Sequence, residues 1–216
     1  MQILFLRHGE VASHRGDVPV TRAGLMHAEQ SGKALAASFD APVTVFYGGT
    51  RRTRETAEAV IRGMDSPERV DGPIDSFALR NPDMYAAGTR VNMVSSPEAL
   101  AEQVPGMTTA QAASNGWWDT FFHAPDRIGW WLEQDAPPGE TRSEVFTRLQ
   151  RFARTFGDPG PYNGRLVVCV THSPLLRSLA IGAGHPDPGE LAYVTGSSVT
   201  LGPEGRLDIQ PFAPLT

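Results

Sequence analysis

A single cysteine in 216 residues leaves no internal disulfide for the chain to form. Cys169 lies in the middle of an apolar run and reads as a small core residue rather than a reactive thiol. No apolar stretch approaches the length needed to cross a bilayer. No basic and apolar leader pattern opens the chain, which runs straight into a strand-like segment. These absences predict a cytoplasmic chain with no membrane partner. Excess positive charge is missing too: the formal net charge is −5, so nucleic acid and anionic membrane are not expected partners. Any site for an anion must then be local, built from a few arginines. The 22 glycines and 18 prolines fall short of a low-complexity composition, while 40% hydrophobic and 20% charged residues are ordinary for a globular protein. The length predicts one domain over 1–216.

Hydrophobic patterning divides much of the chain into alternating strands and helices. Short buried-strand runs fall at 2–6, 43–47 and 165–170, and helical patterns at 22–38, 51–62, 141–157 and 173–183. Thr21 is placed to cap the first helix and Ser173 the last. Such alternation predicts an α/β fold, a three-layer α/β/α arrangement with a mostly parallel sheet flanked by helices. The segments 197–201 and 207–210 flank Gly202-Pro203-Glu204-Gly205 and read as a hairpin closing the sheet. Residues 78–138 interrupt the pattern with several Pro and Gly and no clear strand. They also hold all four tryptophans, Trp117, Trp118, Trp130 and Trp131. This segment is expected to form a mid-chain helical insertion near the site, either a packing layer or a lid-like wall.

Chemistry gathers where strands end. The first apolar run closes on Arg7-His8-Gly9-Glu10, placing an imidazole beside a cation and a glycine that permits close approach to a ligand. Those are the parts of a phosphate site with a histidine nucleophile. The second run leads through Gly48-Gly49-Thr50 to Arg51-Arg52-Thr53-Arg54-Glu55-Thr56-Ala57, which opens a helix. A third run ends in Val170-Thr171-His172-Ser173, and Gly139-Glu140-Thr141 precedes another helix. In a doubly wound sheet such strand ends face one crevice.

In these segments and in their order, the chain resembles the histidine phosphatase superfamily, also called the phosphoglycerate-mutase-like family. Arg7 to Glu10 match its Arg-His-Gly-Glu motif. Pro19-Val20-Thr21-Arg22-Ala23-Gly24 is similar to its Pro-Leu-Thr-x-x-Gly. Arg52, Thr56 and Ala57 match its Ser-Pro-x-x-Arg-x-x-x-Thr-Ala, with Gly48-Gly49 replacing Ser-Pro. The resemblance implies a phosphatase-type member, a metal-independent hydrolase of a small phosphomonoester, with no cofactor. It implies His8 as the phosphorylated nucleophile, His172 as a donor to the phosphoryl group, and Arg7 and Arg52 as phosphate ligands. His14 stands where mutase-type members carry a phosphate-holding asparagine. The arginines suit the task because guanidinium presents a planar fork of donors.

One position departs from the pattern. Family members commonly carry a glutamate as general acid within the stretch matched here by Leu79-Arg80-Asn81-Pro82-Asp83, and Asn81 takes its place. An amide cannot give and recover a proton as a carboxyl does. Asp83 is the nearest replacement and is the expected proton donor. Two alternatives stay open, a phosphoglycerate-type mutase and a non-catalytic phosphate-binding or interaction module. The substrate is unspecified by the sequence, and a homo-oligomer stays open as a partner.

Overall fold

The computed structural model describes residues 1–13, 16–202 and 206–214. Its centre is a six-stranded sheet in the order β3-β2-β6-β1-β7-β8. The strands are β1 (Gln2–Arg7), β2 (Val43–Tyr47), β3 (Val70–Asp75), β6 (Leu166–Thr171), β7 (Gly196–Leu201) and β8 (Leu207–Phe212). β1, β2, β3 and β6 run parallel, whereas β7 and β8 are antiparallel to their neighbours. The turn expected between β7 and β8 falls largely at residues 203–205, outside the described residues.

Side chains of the central strands alternate between two cores, as the pleat requires. Leu4, Leu6, Val43, Val45, Val168 and Val170 face α1 (Arg22–Ser38) and α2 (Arg51–Met64). Ile3, Phe5, Phe46, Val167 and Cys169 face the opposite way. There they meet α7 (Arg142–Thr155) and α8 (Ser173–Gly182). Strands covered on both faces read as continuous apolar runs, which is why β1, β2 and β6 were visible in the sequence. Thr21 caps α1 as expected, its Oγ1 accepting from the Gly24 N–H at 3.0 Å. Ser173 does not cap α8: His172 holds the cap position and Ser173 is the first helical residue.

The mid-chain segment contains short helices α3 (Pro97–Ala101), α4 (Thr109–Ala113), α5 (Gly116–His123) and α6 (Arg127–Leu132). It also contains a two-stranded hairpin, β4 (Met84–Ala86) and β5 (Thr89–Val91), that the sequence pattern did not reveal. Trp118 and Trp131 are fully buried in the same core as Ile3 and Phe5. Their indole N–H groups donate to the carbonyls of Tyr85 and Glu140, both at 3.1 Å. The tryptophans therefore fasten this layer to the sheet. Among the described residues, no helix is long and apolar enough to cross a membrane.

Candidate active site

β1 and β6 are adjacent parallel strands with Arg7 paired to Thr171, so the next residues, His8 and His172, leave the sheet side by side. Their ring centroids lie 5.5 Å apart at 65°. Both line a cavity of about 440 Å³ at the carboxyl ends of the strands, together with Arg7, Arg52, Asn81, Phe121, Asp126 and Glu190. Both histidines are buried.

The His8 Nδ1 is 2.8 Å from the carbonyl oxygen of Gly9. A carbonyl only accepts, so Nδ1 carries the hydrogen and Nε2 is the ring nitrogen suited to act as nucleophile. The loop is held from behind by Thr56, whose Oγ1 accepts from the Gly9 N–H at 2.8 Å and donates to the Arg52 carbonyl at 2.7 Å. That contact gives the Arg-x-x-x-Thr spacing its physical meaning: one turn of α2 fixes both a cation and the backbone beside His8. Gly24 lets the start of α1 press against the same loop, where a Cβ would lie 2.7 Å from the Glu10 nitrogen.

Of the three arginines opening α2, only Arg52 lines the cavity. Arg51 pairs with Glu55 at 2.6 Å and Arg54 lies 3.7 Å from Glu58, both along the exposed helix face. Arg52 Nη2 comes to 3.4 Å from His172 Nδ1. Burial lowers the Arg52 pKa, an effect partly opposed by the nearby charge of Asp17. His172 is held well below the ordinary histidine value, first by burial, then by Arg52, His8 and Arg7, with the Gly48 carbonyl pulling the other way. These effects favour the neutral ring, and its Nε2 is buried with no hydrogen-bond partner.

Arg7 is gripped on one side. Nη1 donates to the Leu191 carbonyl, Nη2 pairs with Glu190, and the Tyr193 ring lies 4.2 Å beneath the guanidinium carbon. Its Nε is buried with no partner. Buried donors are normally satisfied, so two unpartnered nitrogens on residues of one cavity call for a ligand with acceptor atoms.

Asp83 requires a correction. It does not line the cavity. Its carboxylate is bound by Arg80 and Arg90, and its backbone N–H donates to Glu140 at 2.8 Å. Burial would raise the Asp83 pKa, but the hydrogen bonds and charges of Arg80 and Arg90 outweigh it and the pKa is lowered. A carboxylate held in that way is a poor proton donor. Glu140 also binds Arg148 at 2.9 Å, and Arg148 donates to the Ala78 and Arg80 carbonyls. The Gly-Glu-Thr segment therefore organises the loop that presents Asn81. Asn81 does face the cavity and is buried. His14 lies outside the described residues.

Sequence reasoning missed Asp17, Asp126 and Glu190, the carboxylates that do line the cavity, and Arg177, which organises its rim. Arg177 is only 1% exposed and binds Asp126 at 2.9 and 2.6 Å and Asp187 at 2.8 and 2.5 Å. It ties the start of α6 to the loop that carries Glu190. A lone arginine within the apolar run of α8 was the available signal. Among the described residues, no three His, Cys, Asp or Glu side chains are placed to hold a metal ion.

Residues 3–74 match the family model of the histidine phosphatase superfamily, branch 1. No curated protein sequence matches the chain. Solved structures do match in fold. A mycobacterial glucosyl-3-phosphoglycerate phosphatase is 16% identical with a TM-score of 0.62, over 98% of this chain and 97% of that one. A mycobacterial protein described as hydrolase 2 is 18% identical with a TM-score of 0.63, over 98% and 89%. A candidate alpha-ribazole-5'-P phosphatase from Escherichia coli is 15% identical with a TM-score of 0.58, over 98% and 95%. The family model thus matches the first third of the chain, and these solved structures share its fold along nearly its whole length.

Proposed function

We propose that the protein hydrolyses a small phosphomonoester through a phosphohistidine formed on His8. The supporting observation is the pair of buried, unpartnered nitrogens, Arg7 Nε and His172 Nε2, on residues lining the cavity that also holds His8. His8 Nε2 attacks phosphorus and the ester oxygen departs. Arg7 and Arg52 hold the non-bridging oxygens and offset the charge that spreads over them in the transition state. A bound dianion favours the charged form of His172, which then donates from Nε2 to a phosphoryl oxygen. Water cleaves the phosphohistidine and releases phosphate. Two of the comparison proteins are named for phosphorylated small molecules, in keeping with a cavity of about 440 Å³. Met93, Val94, Phe121 and Ile128 give its outer wall an apolar surface for the leaving group.

Rapid quench of the protein with a labelled aryl phosphate tests this reading. The expected result is acid-labile, base-stable label that His8→Ala abolishes. Hydrolysis that persists in His8→Ala refutes the mechanism. Binding of phosphate without label or turnover favours the non-catalytic phosphate-binding module.

A further inference from the structure

A phosphohistidine route to an alkyl phosphate needs a proton for the departing oxygen, and Asn81 cannot supply it. Asp83 is turned into the Arg80–Arg90 pair. Three carboxylates line the cavity among the described residues, Asp17, Asp126 and Glu190. Asp126 is bound through both oxygens by Arg177 and also caps α6, accepting from the Gly129 N–H at 2.9 Å. Asp17 accepts from the Arg51 N–H at 2.7 Å, at the outer start of α2. Glu190 differs from both. It projects from the loop after α8 with a side chain 57% exposed, and its oxygens reach Arg7 Nη2 and, at 3.2 Å, Ser173 Oγ. Among the described residues lining the cavity, Glu190 is the carboxylate that pairs with Arg7.

We infer that Glu190 is the proton donor for the departing oxygen and then the base that activates water, an inference that rests on the phosphatase reading above. The reason is position. A phosphoryl group taking Arg7 Nε, or displacing Glu190 from Nη2, has the Glu190 carboxylate as its immediate neighbour. Contact with a phosphoryl anion disfavours the charged carboxylate, so in this proposal Glu190 carries the proton while the substrate is bound. Among the described residues, the other charged or titratable groups lining the same cavity are Arg7 from β1, His8 and His172 at the strand ends, Asp126 and Arg127 from the mid-chain segment, and Asp17 and Arg52. Binding the dianion thus loads the acid that its own cleavage requires.

In the first step His8 Nε2 forms a bond to phosphorus, the P–O ester bond breaks with its electrons going to oxygen, and that oxygen takes the Glu190 proton. In the second, a water oxygen bonds to phosphorus while Glu190 takes the water proton. The P–N bond then breaks and its electron pair returns to His8. Alcohol and phosphate leave, and Glu190 releases its proton to solvent as its carboxylate returns to Arg7.

Glu190→Gln keeps the side-chain shape while abolishing proton transfer. The comparison is kcat/KM for an alkyl phosphate against 4-nitrophenyl phosphate, because kcat/KM reports the steps up to loss of the leaving group. The expected result is a fall of roughly 100-fold for the alkyl ester and less than about fivefold for the nitrophenyl ester, whose leaving group needs no proton. Equal losses for both substrates, no loss for either, or the split appearing in Asp17→Asn instead would overturn the assignment. Absence of His8 label in the wild-type protein would overturn the phosphatase reading as a whole. Label on His8 without the leaving-group split overturns the role of Glu190 alone.

Discussion

Replacing Arg177 with methionine removes a buried guanidinium that makes four charge-assisted hydrogen bonds to Asp126 and Asp187. Each such bond contributes about 1.5–3 kcal/mol, but releasing the guanidinium from burial returns several kcal/mol of desolvation. The two aspartates are 54% and 36% exposed, so water partly re-solvates them once the arginine is gone. The net loss expected is about 3 kcal/mol. An unfolding entropy of about 2.1 cal/mol/K per residue amounts to roughly 0.45 kcal/mol/K for this chain. The variant should therefore melt about 7 °C below the wild type at pH 7. The pH dependence identifies the cause. Hydrogen bonds from Arg177 lower the pKa of both Asp126 and Asp187. A depressed carboxyl contributes stability that is fully present above its unfolded value and is lost as pH falls through the folded value. The gap between the two melting curves should then hold constant from pH 7 to pH 5 and narrow only below the ordinary aspartate value of 3.8. A gap that already narrows between pH 7 and pH 5 would assign the stabilisation to a histidine. No gap at pH 7 would show that desolvation cancels the ion pairs.

Arg52→Ala should lower kcat/KM by about 3 kcal/mol or more of transition-state stabilisation, with Arg51→Ala and Arg54→Ala nearly silent. Comparable losses in all three would reduce the effect of Arg52 to a diffuse field. Gly48→Ala should destabilise the fold by about 1–3 kcal/mol, because a Cβ there would lie 2.6 Å from the Leu79 carbonyl carbon. Denaturant unfolding measures it, and an unchanged midpoint would mean that the loop holding Asn81 moves freely.

The legible parts of the chain were those where one physical signal dominates. β1, β2 and β6 are apolar because both their faces are covered. His8, Arg52 and His172 stand directly after a strand or at the first turn of a helix. β3 was hidden because Asp71, Gly72, Pro73 and Asp75 do not resemble a strand. It lies at the sheet edge, paired only with β2, where proline is tolerated. The β4–β5 hairpin was hidden because its strands are three residues long. Its turn puts Ala87, at φ 46°, in a conformation usually reserved for glycine or asparagine. The cavity carboxylates failed differently. Asp83 and Glu190 are both loop residues, and only the three-dimensional placement of Arg7, Arg80 and Arg90 decides which one faces the histidines.

The matched exit of His8 and His172 from neighbouring strands has an evolutionary corollary. Parallel strands are spaced about 4.8 Å apart by their backbone hydrogen bonds, so the separation of the two imidazoles is a lattice constant of the sheet rather than an achievement of the loops. Mutation can rewrite residues 78–138, and with them the outer wall of the cavity, without disturbing that spacing. Under the phosphatase reading proposed above, substrate range and reacting geometry are encoded in separate stretches of chain, free to change at different rates.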